Sequence, residues 1–90
     1  MATVKLAPVL RSFAGNSKQV SAEGSTLAEV LNDLYKRYPS LKAQIQPEGE
    51  LSRFVNVYVS DEDVRHRGGL NATVGPNDTV TLLPAMAGGQ

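Results

Sequence analysis

Gly75-Pro76-Asn77-Asp78-Thr79-Val80-Thr81-Leu82-Leu83-Pro84 runs directly into Ala85-Met86-Ala87-Gly88-Gly89-Gln90. The first four residues carry turn chemistry, glycine and proline followed by asparagine and aspartate. Thr79 to Leu83 then alternates so that Val80 and Leu82 share one face, the two-residue period of a strand. After Pro84 every residue except Met86 and Gln90 is alanine or glycine. Glycine lacks a Cβ, so its backbone can approach another surface closely. The six residues from Ala85 to Gln90 reach at most roughly 20 Å when extended. A tail this slim can thread a narrow channel and deliver a glycine carboxylate to another enzyme. Flexible glycine-containing ends are also common for no such reason, and Gly68-Gly69 places a second diglycine where a turn explains it.

Upstream, Leu27, Val30, Leu31, Leu34 and Tyr38 follow the spacing of one helical stripe. Thr26 and Glu29 have capping-box spacing at its start, and Pro39 ends it by pushing Tyr38 away from helical torsions. Such a stripe faces a core. Phe54 to Ser60 predicts a strand with Val55, Val57 and Val59 on one face and Phe54, Asn56 and Tyr58 on the other.

Earlier still, Val4, Leu6, Pro8 and Leu10 alternate with Lys5, Ala7, Val9 and Arg11, which reads as a first strand made irregular at Pro8. A turn at Ala14-Gly15-Asn16-Ser17 returns it as a second strand over Lys18 to Ala22, giving an N-terminal hairpin. Leu41 to Leu51, with Pro47 and Gly49, reads as a loop with room for one helical turn. Asp61-Glu62-Asp63 reads as a turn before a short extended piece at Val64 to His66, and Leu70 as a core plug after Gly68-Gly69.

The resulting order is strand, strand, helix, strand, short strand, strand, with one main helix to cover one face of a twisted mixed sheet. That is α+β. If the helix covers the valines of 55–59 together with Val80 and Leu82, the opposite face presents Phe54, Tyr58 and Leu83. Grouped apolar residues on an uncovered face form a candidate docking surface, and scattered exposure is the ordinary alternative.

Ninety residues allow one small domain. At 41% hydrophobic and 20% charged the composition is globular, not disordered. Nine basic and nine acidic residues cancel, and no long basic run exists, which argues against phosphate-driven nucleic-acid binding. No apolar run approaches a membrane span, and the N-terminal residues lack the apolar core of a signal peptide. Cysteine is absent, which removes disulfides, thiolate metal sites and an internal thiol nucleophile, and fits a reducing compartment. A soluble cytoplasmic domain is the expectation.

His66 is the only histidine and lies between Arg65 and Arg67, the pattern of a solvated residue and not of a metal site. Three consecutive acids at 61–63 are ordinarily a solvated rim, and no glycine-rich phosphate loop with its lysine is present.

Helix position, strand order and tail together resemble the β-grasp sulfur-carrier proteins, the ThiS and MoaD group related to ubiquitin. The residues that carry the resemblance are Gly75 to Pro84 leading into Ala85-Met86-Ala87-Gly88-Gly89. Arg53-Phe54-Val55-Asn56-Val57-Tyr58-Val59 followed by Asp61-Glu62-Asp63-Val64-Arg65 is most similar to the CysO type. The resemblance implies a β-grasp domain over residues 1–84 and a flexible tail over 85–90. It implies that Gly89 is adenylated by a MoeB/ThiF-type partner using ATP and magnesium, then converted to a thiocarboxylate for a sulfur-accepting synthase. No cofactor is expected on this chain, which is a carrier and not an enzyme. Gly88 and Ala87 would keep the tail slim in the partner's channel, Met86 and Ala85 would anchor it, and Phe54, Tyr58 and Leu83 would dock. Active relatives end at the second glycine, so Gln90 implies a precursor trimmed by a JAMM-type peptidase. A ubiquitin-like modifier joined to lysines through Gly89, and a β-grasp interaction module without tail chemistry, stand as the alternatives.

Overall fold

A computed structural model describes residues 1–84. Strands β1 (Ala2–Leu6), β2 (Gln19–Ala22), β3 (Val55–Val59), β4 (Glu62–Asp63) and β5 (Thr79–Pro84) form one sheet in the order β2-β1-β5-β3-β4. β1 and β5 are parallel, with Val4 opposite Val80 and Leu6 opposite Leu82, and the other neighbours are antiparallel. Helices α1 (Pro8–Arg11), α2 (Leu27–Arg37) and α3 (Ser40–Ile45) lie between the strands.

The expected α+β sheet on one main helix is what the chain forms. Val4, Leu6, Val57, Val59, Val80 and Leu82 line the covered face, and Leu27, Val30, Leu31 and Leu34 of α2 pack in the same buried core. Tyr35, outside the stripe read from sequence, is buried as well, while Tyr38 is only half-buried. The Tyr35 hydroxyl donates to Gln46 Oε1 at 2.9 Å, which satisfies a polar atom in an apolar setting. Burial pushes its phenol well above the ordinary tyrosine range.

The start of α2 departs from a simple capping box. Thr26 Oγ1 accepts from the Glu29 N–H at 3.3 Å, but the Glu29 carboxylate accepts from Ser25, backbone at 2.8 Å and hydroxyl at 2.9 Å. These bonds hold the Glu29 carboxyl below its ordinary value, the Ser25 N–H contributing most. A bridge to Thr73 fixes the same point: Leu27 N–H donates to Ala72 O at 2.9 Å and Val74 N–H to Ser25 O at 3.0 Å.

Three local readings are corrected. The first strand stops at Leu6, and Pro8–Arg11 is helical, followed by a 3₁₀ turn at Ser12–Ala14. Pro8 opens that helix because the first helical position needs no N–H donor. The second concerns 61–66: the turn centres on Ser60 and Asp61, at φ 49° and 72°, Glu62–Asp63 is the strand, and Val64–His66 is a 3₁₀ turn. There Asp63 Oδ1 accepts from the Arg65 N–H at 2.9 Å, an Asx-type cap that curls the chain out of the sheet. Third, residues 40–45 form a full short helix whose Leu41 and Ile45 are fully buried.

Of the described glycines, Gly24 leaves the least room for a side chain. A Cβ there would sit 2.6 Å from Val30 N and 2.7 Å from Glu29 Cβ. Gly24→Ala should therefore lose stability in a urea titration by about 2 kcal/mol or more, since backbone must move to relieve the overlap. Gly49, at φ 82°, has nothing within 4 Å of a Cβ, so a side chain there would meet torsional strain but no overlap. Its alanine variant should cost about 1 kcal/mol. Equal losses at the two sites would contradict the packing at Gly24.

Candidate functional site

The face of the sheet away from α2 is built by strand parity. Gln19, Lys5, Thr81, Tyr58 and Asp63 stand in one row across all five strands, because each is the register partner of the next. The next row toward the end of β5 holds Leu83 opposite Asn56. Tyr58 and Leu83 therefore lie diagonally on one face, within reach of a common partner. With Thr81 and Asp61 they line a shallow hollow of about 210 Å³.

Phe54 lies just before β3 and is 57% exposed, with the Arg53 guanidinium 5.3 Å from its ring centre. It lines a different hollow, shared with Leu51, Arg53 and Pro47. Of the three candidate docking residues, the fold brings two together and sets the third at the edge, next to Val55, the register partner of Pro84.

Two turns hold this face. Asp78 Oδ2 accepts from the Gly75 N–H at 2.7 Å, and Asp78 Oδ1 accepts from the Ser60 hydroxyl at 3.0 Å. The turn that launches β5 is thereby tied to the β3–β4 hairpin. The Gly75 N–H, then the Ser60 hydroxyl, hold the Asp78 carboxyl below the usual carboxylate range, with Arg67 adding to the same effect. Arg65 donates to Asn56 Oδ1 and lies 3.5 Å from Asp63 Oδ1. That guanidinium, fixed beside the Leu83–Asn56 row, was missed in the sequence. Its signal was the Asx geometry of Asp63, visible only once the hairpin turn is placed at 60–61.

Ala85, Met86, Ala87, Gly88, Gly89 and Gln90 lie outside the described residues. Among the described residues no group of histidine and acidic side chains could hold a metal ion, and no helix is long and apolar enough to cross a membrane.

A mixed sheet in this order, with parallel first and last strands and its main helix crossing one face, is the β-grasp of the ubiquitin-like proteins. The ThiS family profile matches residues 4–89, and the chain belongs to that family. It is 46% identical over 90 residues to the sulfur carrier protein CysO of Mycobacterium tuberculosis, covering 97% of each chain. It matches a chain in the crystal structure of the Amycolatopsis orientalis BexX/CysO complex with a TM-score of 0.92 at 47% identity, over 99% of this chain and 100% of that one. The solution structure of small archaeal modifier protein 1 from Methanosarcina acetivorans gives a TM-score of 0.85 at 29% identity, over 98% and 95% of the two chains.

Two measurements test this description. Leu82 is fully buried and Leu83 is 40% exposed, so the neighbours should separate in a denaturation series. Leu82→Ala should cost about 2–5 kcal/mol and Leu83→Ala no more than about 0.5 kcal/mol; similar losses would place Leu83 in the core. The second is a pH series. Because the folded Asp78 pKa lies below its ordinary 3.8, its stabilising contribution is complete above that value and is lost as pH falls through the folded value. Asp78→Asn should melt earlier than the parent at neutral pH, and the gap should close in acid. A gap that stays constant into acid would rule out the carboxylate as its source.

Proposed function

We propose that this chain is a sulfur carrier whose reactive end is Gly89. The observation that carries the reading is the extent of the family match, which runs through Gly88-Gly89 and leaves Gln90 outside, on a chain alike over nearly its whole length to named sulfur carriers.

Removal of Gln90, by a JAMM-type peptidase on this reading, frees the Gly89 carboxylate. That group is a poor acyl donor because its leaving group would be oxide. In an adenylating partner of the MoeB/ThiF type, a carboxylate oxygen attacks the α-phosphorus of Mg-ATP and pyrophosphate departs. A sulfide equivalent then adds to the acyl carbon, the bond to AMP breaks, and AMP leaves with the electron pair. The product thiocarboxylate has an anionic, nucleophilic sulfur suited to an electrophile held by an accepting synthase. ATP and magnesium belong to the activating partner; this chain contributes a docking face around Tyr58, Leu83 and Phe54, a slim Ala87-Gly88 approach, Ala85 and Met86 as anchors, and the acyl group of Gly89. It is a cosubstrate and not a catalyst.

The likeness to small archaeal modifier proteins favours a second reading, in which the same activated Gly89 forms amides with protein lysines. One protein of that name, modifier protein 3 of Haloferax volcanii, is 30% identical over 67 residues.

The test is intact mass spectrometry after incubation with the adenylating enzyme, Mg-ATP and sulfide. The form ending at Gly89 should exchange one oxygen for sulfur, and the form ending at Gln90 should not. Gly88→Val should melt like the parent yet lose most of the conversion. Conversion of the Gln90 form alone, or of neither, would refute the carrier reading; lysine adducts bearing Gly88-Gly89 without any thiocarboxylate would establish the modifier instead.

A further inference from the structure

β3 is longer than the strand that guards its outer edge. β4 pairs only with Tyr58 and Val59, so among the described residues no strand lies beyond Val55 and Val57 on that side. The Ser60 N–H donates to Thr79 O at 2.9 Å, and Ser60 is the next antiparallel partner in the β3–β5 register. Backbone polarity alternates along such a ladder. Asn56 and Tyr58 therefore turn their amide groups toward β5, while those of Val55 and Val57 point to the outer edge.

A hollow of about 200 Å³ lies along that edge. Its apolar wall is Leu51, Val55, Val57 and Val64, and its charged residues are Arg53 and Arg65, with no acid in the lining. Both guanidiniums are pre-positioned, Arg65 by Asn56 and Asp63, Arg53 over the Phe54 ring. Pockets for small molecules and cofactors begin at about 300 Å³, so this one is sized for a single apolar side chain. The adjoining hollow past Arg53 contains Glu48 and Glu50, which repel acids and confine a carboxylate to the arginine end.

We infer that the outer edge of β3 is a docking site for an extended, acidic and apolar peptide segment of a partner protein. One leucine- or isoleucine-sized side chain enters the Leu51–Val64 hollow, an adjacent carboxylate bridges Arg53 and Arg65, and the backbone follows Val55 to Val57 in the manner of strand addition. Charge complementarity selects this occupant: a basic segment would meet two arginines, and a purely apolar one would leave the Arg53 guanidinium without a carboxylate, whereas Arg65 already has Asp63 at 3.5 Å. The site is separate from the Tyr58–Leu83 hollow on the open face, and it begins where Val55 meets Pro84, the last rung of β5. It stands whether or not Gly89 carries sulfur.

The experiment is a titration of the full chain, isotopically labelled, with fluorescent hexapeptides that alternate leucine and glutamate, and with the same peptides carrying lysine for glutamate. The glutamate peptide should shift the amide signals of Leu51 to Val57, Val64 and Arg65 saturably, and the lysine peptide should not. Among the described residues the Arg53 side chain makes no hydrogen bond or ion pair and lies over the Phe54 ring, so Arg53→Gln should weaken binding about tenfold, the order of one lost charge-assisted pair. Arg65→Gln should do the same, and Arg65→Lys should recover part of the loss. Shifts confined to Tyr58, Thr81 and Leu83, equal binding of the lysine peptide, undiminished binding by Arg53→Gln, or no binding would each overturn the proposal.

Discussion

The parallel pairing of β1 with β5 is the constraint on which the rest of this structure depends. A parallel pair cannot be closed by a hairpin and needs a crossover on one side of the sheet. Here everything between Leu6 and Thr79 lies inside that crossover, and α2 is the part that lies over the sheet. Two antiparallel neighbours, β2 beside β1 and β3 beside β5, then widen the layer enough to cover the α2 stripe. The arrangement makes the last strand the central one. Val80 and Leu82 are fully buried because they have strands on both sides and a helix above. The end of the chain thus issues from the most firmly held strand, which separates the job of folding from any job done after Pro84.

That separation is sharpened by how β5 ends. Ala7 N–H donates to Leu82 O at 3.1 Å, so the following rung of the parallel ladder would run from the N–H of residue 84 to Ala7 O. Residue 84 is proline and has no N–H. On the neighbouring strand Pro8 starts a helix and carries the chain out of the sheet. Two prolines therefore stand at the same end of adjacent strands, and residue 84 offers no N–H to continue the ladder between them.

Elements whose signal is periodic were legible in the sequence. The Val55–Val57–Val59 face, the Leu27–Leu34 stripe and the Val80–Leu82 pair each repeat a single burial pattern, and one helix over one sheet followed from their order. Misreadings arose where one residue type serves two local geometries. Pro8 fits both an irregular strand and a helix start, and what decides between them is the distant Leu82 carbonyl that accepts from Ala7. Asp63 fits both a turn and a strand end, and its side-chain bond to Arg65 is decided only after Ser60 and Asp61 take left-handed torsions, which aspartate tolerates and serine rarely adopts. Tyr35 escaped the stripe because its hydroxyl is satisfied by Gln46, which lies beyond the proline that ends the helix. Of the candidate site, the sheet parity of Tyr58 and Leu83 was legible. The placement of Phe54 in another hollow was not, because it depends on the course of the 46–54 loop.

The two faces at this end of the molecule follow from a difference in strand length. β3 and β5 pair over their whole span, from Val59 opposite Val80 to Val55 opposite Pro84, whereas β4 supplies two residues before its chain curls at Asp63. A longer β4 would pair with Val55 to Val57 and close the edge, as natural sheets commonly do to avoid unwanted pairing. Instead the curl places Val64 in the core and swings Arg65 back over Asn56. The open half of β3 is consequently bordered by a charged residue, which deters indiscriminate strand pairing while admitting a complementary one. The same curl sets a guanidinium beside the Leu83–Asn56 row. A single Asx cap at Asp63 thus shapes both the outer edge of the sheet and the margin of its open face, one turn away from the strand that ends at Pro84.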